Sequence, residues 1–193
     1  MTNAFQIQKQ KQLSKSDKSN EGSWDIKIKP LCDKINKSKD YYTTSSCAGR
    51  IILLKESTKK QPDAFLFKTH KKTTLNQINQ ALDKTQYKDI EFQQTSCILH
   101  VACSSLEKAF TLVNKAKLAG WKRSGVMSQK RNIVELHSTE NMSFPIVKNS
   151  KILVNNDFLK IAINQANQKL ERTWKKIQNL KKSLSKKQWA TTP

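Results

Sequence analysis

Residues 155–188 carry the pattern that most limits the fold, because apolar side chains recur there at steps of three and four residues. This spacing places them on one side of an α-helix. A stripe so long and so rich in leucine and isoleucine suits packing on a protein core better than lying on a membrane surface. We therefore expect one long amphipathic helix over 155–188. Its apolar residues are Leu159, Ile163, Ala166, Leu170, Trp174, Ile177, Leu180 and Leu184.

The remaining faces of this predicted helix are basic. The chain has 36 lysines and arginines against 15 acids, a formal net charge of +21. Its last 46 residues hold eleven of these cations against two acids. A basic face of this kind is either solvated or bound to phosphates, and in the second case Lys175, Lys176 and Lys182 would make the contacts.

Ahead of this helix, the sequence predicts strand pairs separated by short helices. Ile51–Leu54 and Ala64–His70 have the composition of a β-hairpin. Strands that come in pairs, rather than alternating singly with helices, indicate an α+β fold with a mixed or antiparallel sheet. A Rossmann-like fold is not expected, since the chain has neither a G-x-G-x-x-G nor a Walker A sequence. Further strand candidates lie at 91–94, 97–102, 122–128, 132–137 and 144–147.

Local signals predict the shorter helices. Thr74 with Gln77 and Ser104 with Glu107 have capping-box spacing before apolar runs. Pro30 fits the first turn of a helix between residues 24 and 37.

The length and composition favour one domain. Only 36% of the 193 residues are hydrophobic, which is thin for two independent cores. We expect a basic extension or helix at 1–20, an α+β core at 21–154 and the long helix at 155–188.

Other sequence features point to a cytoplasmic protein. There is no apolar run of membrane-spanning length, and the N-terminal residues are too polar for a secretory signal. The four cysteines form no dense framework, so we expect reduced thiols.

The densest cluster of polar and small residues precedes the Ile51 strand. Hydroxyls, a thiol, a glycine and a guanidinium there can contact a ligand, although a Ser- and Gly-rich turn has the same composition. A nucleophilic role for the thiol would need a base that the sequence does not show. The candidate binding residues are Ser45, Ser46, Cys47, Gly49 and Arg50.

Two histidines lie on predicted strands, His70 beside lysines and His100 between apolar residues. Each is a candidate general base or a strand residue with a purely structural role. A metal site that combines them with Cys97 and Cys103 lacks the usual short ligand spacing of zinc sites, so no metal is expected.

A second cluster runs from Gly120 to Gly125 and contains Trp121, Lys122 and Arg123. It is either a helix stop followed by a strand, or a site where Trp121 or Arg123 stacks on an unpaired base while Lys122 binds its phosphate.

Taken together, these clusters resemble the tRNA wybutosine-synthesizing protein 3 family. The resemblance rests on the order and spacing of Asp17-Lys18-Ser19, the T-S-S-C-x-G-R-I string from Thr44 to Ile51, His70, Leu99-His100-Val101, and the segment from Gly120 to Val126. One departure is Glu21, where the family often has a lysine before the glycine.

The resemblance implies an S-adenosylmethionine-dependent methyltransferase. Its substrate would be the anticodon stem-loop of tRNA(Phe), methylated at ring N4 of the demethylwyosine-type base 3′ of the anticodon. It implies Asp17, His70 and His100 as catalytic candidates, and adds Ser19, Ser124 and Gly125 to the cofactor- or substrate-binding set. We weigh two rivals against it: a non-catalytic RNA-binding module, and an enzyme with Cys47 as covalent nucleophile.

Overall fold

The computed structural model of the protein describes residues 4–15, 25–56, 64–83 and 87–185. Five helices and nine strands lie in these ranges. The helices are α1 (Ala4–Leu13), α2 (Lys29–Asn36), α3 (Leu75–Asp83), α4 (Leu106–Leu118) and α5 (Asn156–Ser183). The strands are β1 (Tyr41–Cys47), β2 (Arg50–Lys55), β3 (Phe65–Thr69), β4 (Ile90–Thr95), β5 (Ile98–Cys103), β6 (Gly125–Ser128), β7 (Ile133–His137), β8 (Met142–Lys148) and β9 (Lys151–Ile152).

A first compact unit takes its residues from the ranges 1–48, 97–139 and 174–193. Its four-stranded antiparallel sheet has the order β1-β5-β7-β6. One face, here the inner face, is buried in a core that includes Leu99 and Val101 of β5 and residues of α2, α4 and the end of α5. Because side chains alternate along a strand, His100 lies on the opposite, outer face, where it is partly exposed.

A second compact unit takes its residues from 49–96 and 140–173. Its five-stranded antiparallel sheet has the order β3-β2-β4-β8-β9. Phe92 stacks on Phe144 with ring centroids 4.9 Å apart, and Phe144 meets Phe158 of α5 edge-on at 5.3 Å. This aromatic contact joins the helix to the sheet within the unit.

Helix α5 confirms the predicted apolar stripe. Its N-terminal part, to Thr173, belongs to the second unit and its C-terminal part to the first. Among the described residues, no helix combines the length and apolar composition that a membrane span needs. Buried side chains follow the predicted three- and four-residue steps at Leu159, Ile163, Ala166, Leu170, Ile177, Leu180 and Leu184.

The α+β fold with antiparallel strand pairs is confirmed, and the hairpin of β2 and β3 forms as predicted. The strands form two sheets rather than one. Each of the two compact units has its own sheet. That the chain forms a single domain stays a prediction.

One of the two predicted caps is shifted. The Thr74 and Gln77 pair forms, since the Thr74 N–H donates to Gln77 Oε1 at 3.1 Å and the Gln77 N–H donates to Thr74 Oγ1 at 3.4 Å. Helix α4, however, is capped by Ser105, whose hydroxyl accepts from the Lys108 N–H at 3.2 Å. The Ser104 hydroxyl instead donates to the Asp40 carboxylate at 3.0 Å. The prediction of Ser104 as the capping residue was therefore wrong by one position.

Candidate active site

Three polar side chains, Ser45, His100 and Glu135, lie side by side on the outer face of the first unit's sheet. Strand pairing brings them together, since Ser45 of β1 pairs with His100 of β5, and His100 pairs with Glu135 of β7. These three residues are called the polar row below.

A bulge in β1 puts Ser45 on this face. Thr43 is paired with Val101 and Ser45 with His100, so one extra residue is inserted between the two pairs. An inserted residue reverses the alternation of faces beyond it. Thr43 is therefore buried while Ser45, two residues later, is exposed.

Both ring nitrogens of His100 are within hydrogen-bond distance of a neighbour in the polar row. Nδ1 lies 2.6 Å from Ser45 Oγ, and Nε2 lies 2.9 Å from Glu135 Oε2. The His100 and Glu135 side chains are 22% and 32% exposed, so solvent and a substrate can reach them. A hydroxyl, an imidazole and a carboxylate connected in this order can accept and hold a proton.

His137 lies two residues beyond Glu135 on the same face of β7. Burial lowers the pKa of His137 below its ordinary value of 6.5, and Arg123 and His100 act in the same direction against the opposing effect of Glu135. The ring is therefore neutral at pH 7.

Glu135 and His137 were missed in the sequence. The alternation Ile133-Val134-Glu135-Leu136-His137 gave the only signal, since it places both polar residues on one face of a strand.

The cluster between Gly120 and Gly125 is mostly structural. Trp121 is fully buried and its indole N–H donates to the Lys176 carbonyl at 3.1 Å, which excludes the alternative in which Trp121 stacks on an exposed base. The Ser124 hydroxyl donates to the Trp121 carbonyl at 2.6 Å and accepts from the His137 N–H at 3.2 Å. Lys122 and Arg123 are exposed.

Gly125 of β6 lies next to the polar row, on the strand beyond Glu135. It pairs with Glu135, and a Cβ atom at this position would have no neighbour within 4 Å. The glycine therefore leaves open space beside the Glu135 carboxylate.

Three of the cysteines are buried in the core of the first unit and the fourth, Cys47, is not. Burial raises the pKa of Cys32, Cys97 and Cys103 to about 12 each, which makes these thiols poor nucleophiles. Cys47 lies on the outer face and is partly exposed, because it pairs with Ile98.

The two faces of the sheet separate His100 from Cys103, and Ser45 from Ser46. Cys103 lies on the inner face and His100 on the outer face of the same strand, so they cannot share a metal ion. Ser46 faces Leu99 and forms a hydrogen bond with the buried Cys32 thiol, so it does not join Ser45 on the outer face.

In the second unit, Gly49, Arg50 and His70 lie close together. Gly49 has φ of +89°, and a Cβ atom there would meet the Thr95 carbonyl oxygen at 2.8 Å, so only glycine fits. His70 Nδ1 is 3.0 Å from the Gly49 carbonyl oxygen and must donate to it, since a carbonyl only accepts.

Arg50 has an unsatisfied donor. Its guanidinium lies 4.9 Å from the centre of the Phe65 ring, and its buried Nε makes no hydrogen bond within the described part of the chain. An arginine in this state suits a carboxylate or a phosphate.

The remaining predicted residues have varied positions. Asp17 and Ser19 lie outside the described residues. Lys175 and Lys182 are exposed on α5. Lys176 is only partly exposed, because its stem lies against Gly120 and its Nζ donates to Thr139 Oγ1 at 3.1 Å.

Comparison with known proteins identifies the family of this chain. The family model described as Methyltransferase TYW3 matches residues 5–186. The chain belongs to this family. Membership makes the protein a methyltransferase, as predicted, with S-adenosylmethionine as the methyl donor that this activity implies, and it favours the enzyme over a non-catalytic module.

Individual relatives cover most of the chain. A Thermococcus sibiricus protein named tRNA(Phe) 7-((3-amino-3-carboxypropyl)-4-demethylwyosine(37)-N(4))-methyltransferase is 34% identical over 94% of this chain and 95% of its own. A Xenopus laevis tRNA wybutosine-synthesizing protein 3 homolog is 33% identical over 95% of this chain and 75% of its own. The solved structure of PH1069 from Pyrococcus horikoshii superimposes with a TM-score of 0.85 at 32% identity, covering 94% of this chain and 96% of its own.

Proposed function

We propose that the protein transfers a methyl group from S-adenosylmethionine to ring N4 of a demethylwyosine-type base, the base 3′ of the anticodon in tRNA(Phe), in wybutosine or wyosine biosynthesis. The polar row is the observation that carries this proposal. The name of the Thermococcus relative, with its stated N4 position, supports the same reaction.

The polar row suits the proton that this reaction must remove. The Ser45 hydroxyl is exposed and bonded to His100, so it can accept a hydrogen bond from the N–H of a base placed on the outer face. His100 then takes the proton as the ring nitrogen forms its bond to carbon. Of the predicted catalytic residues, His100 is the one whose contacts with Ser45 and Glu135 support this role.

When bound, S-adenosylmethionine supplies a methyl group on a positively charged sulfur, which keeps the electron pair of the broken carbon–sulfur bond. The donor set of the second unit fits this molecule, because the buried Nε of Arg50 bonds to none of the described residues and would hold the methionine carboxylate. Gly49, which precedes Arg50, and His70, which contacts the Gly49 carbonyl, would fix the backbone beside this arginine.

Exposed cations would bind the anticodon stem-loop. Lys122 and Arg123 lie in the turn that leads into β6, the neighbour of the strand that carries Glu135. Lys175 and Lys182 add positive charge on α5, where phosphate binding would release counterions. These contacts carry no base specificity, which leaves recognition of the modified base to the outer face.

The test is incubation of the protein with labelled S-adenosylmethionine and tRNA(Phe) that carries the demethylated tricyclic base, followed by nucleoside mass spectrometry. We expect one added methyl group on that base. Unmodified tRNA(Phe) is the matched control and should gain none. Binding of RNA without any binding of S-adenosylmethionine in calorimetry would instead indicate the non-catalytic RNA-binding module.

A further inference from the structure

We propose that Glu135 is a positioning residue, which holds the His100 ring in the one neutral tautomer that can accept the Ser45 proton. This inference rests on the proposed function and adds a residue that the sequence did not indicate. The family membership and the names of the relatives assign no role to any residue of β7.

The tautomer follows from what a carboxylate can do. An ionised glutamate only accepts hydrogen bonds. At 2.9 Å from Glu135 Oε2, His100 Nε2 must therefore carry the hydrogen. In a neutral ring with its hydrogen on Nε2, Nδ1 has a free electron pair, so Ser45 donates across the 2.6 Å contact.

This direction of bonding determines where a proton can go. The Ser45 oxygen has already given its hydrogen to a hydrogen bond with Nδ1, so its electron pairs are available to the N–H of the substrate. During methyl transfer, the substrate proton moves to Ser45 Oγ as the Ser45 proton moves to His100 Nδ1. The ring becomes an imidazolium that donates to Ser45 from Nδ1 and to the Glu135 carboxylate from Nε2.

The opposite tautomer would block this route. With the hydrogen on Nδ1, His100 would donate to Ser45 and would have no electron pair facing the substrate side of the row. Glu135 prevents this state from a fixed position, because β7 is joined to β5 and β5 to β1 by antiparallel strand pairing. The charge of Glu135 also raises the pKa of His137. A test of Glu135 must therefore distinguish an effect on His100 from an effect on His137.

The first test reads the tautomer directly, without substrate. Histidine side chains labelled with ¹⁵N are observed by NMR at alkaline pH, where the rings are neutral, and His70 and His137 are assigned from His70→Gln and His137→Gln variants. We expect the hydrogen of His100 on Nε2 in the full chain, and a shift toward the Nδ1 form in Glu135→Ala. An unchanged tautomer in Glu135→Ala would overturn the proposal.

The second test asks whether Glu135 acts through His100. With tRNA(Phe) carrying the demethylated base, Glu135→Ala should lower kcat by about tenfold or more while KM changes little, since an orienting carboxylate contributes to turnover. In a His100→Ala background the same change should have no further effect. An equal loss in both backgrounds would show that Glu135 acts independently and would refute the proposal.

The matched control is Glu107→Ala, which removes one exposed negative charge from α4. It should leave kcat unchanged, and thermal melting should show all variants folded. Full turnover by His100→Ala would refute the acid–base role in the proposed function, and with it the kinetic effect of Glu135. The tautomer measurement would still decide whether Glu135 orients the ring, so the two failures are distinguishable.

Discussion

The two predicted catalytic histidines, one in each unit, differ in what their Nδ1 atoms contact. In the second unit, Nδ1 of His70 donates to the Gly49 carbonyl. In the first unit, Nδ1 of His100 faces the Ser45 hydroxyl while Glu135 engages Nε2. A nitrogen that must donate to the backbone supports a local structure, whereas one that can accept from a hydroxyl serves proton transfer.

The largest expected effect separates these two histidines. His100→Ala should lower kcat by about 10²- to 10⁴-fold, the usual contribution of a positioned general base. His70→Ala should cost less, because its Nδ1 donates to a backbone carbonyl and is not placed to accept the substrate proton. Single-turnover methylation of tRNA(Phe) with labelled S-adenosylmethionine measures both. A greater loss in His70→Ala than in His100→Ala would reverse the assignment.

The glycines of the two units provide the next comparison. Gly49→Ala should lower the free energy of unfolding by about 2–4 kcal/mol, since it combines a left-handed backbone with a clash against the Thr95 carbonyl. Gly125→Ala is the matched control, because a Cβ there meets only open space. Urea unfolding measures both, and equal losses would show that the environment of Gly49 is not restrictive.

A smaller effect concerns RNA binding through the first unit. Reversing the charge of Lys175 and Lys182 together should reduce the salt dependence of tRNA affinity by about 0.7–0.9 per lost phosphate contact in the log–log slope. Lys151→Glu with Lys160→Glu makes the same charge change on the second unit. If the two double variants reduce the slope equally, RNA does not bind preferentially at Lys175 and Lys182.

The smallest expected effect is a pH dependence of stability from His137. Its folded pKa lies below the ordinary value of 6.5, so the unfolded chain binds the proton first as the pH falls. The stabilisation is complete above that ordinary value and is lost as the pH falls toward the lower folded one. Thermal melting from pH 7.5 downward should show a shallower decline in His137→Gln than in the unchanged protein. Identical declines would contradict a partly buried His137 with a lowered pKa.

Sequence patterns were sufficient for elements that depend on local spacing. The apolar stripe of α5, the β2 and β3 hairpin and the Thr74 cap all arise from residues close together in the chain. His100 and Ser45 could be named as candidates for their chemistry alone.

Features that depend on pairing between distant strands were not predictable. Glu135 has no distinguishing neighbours in sequence, and its role appears only when β7 pairs with β5. Trp121 lies beside two exposed cations, yet tertiary packing buries it. A regular strand would have placed Ser45 on the same face as the buried Thr43, and only the bulge reverses this.

The bulge also determines where the first unit tolerates a change of length. Removing Thr44, the residue between the two registers, would restore a regular pleat and still leave Ser45 opposite His100. Removing Ser46 instead would shift Cys47 into the place of its neighbour and turn its thiol toward the core. On the N-terminal side of Ser45, the bulge lets the strand lose one residue without moving Ser45 to the other face. On the C-terminal side the pairing is regular, so the loss of one residue changes the face of the residues beyond it.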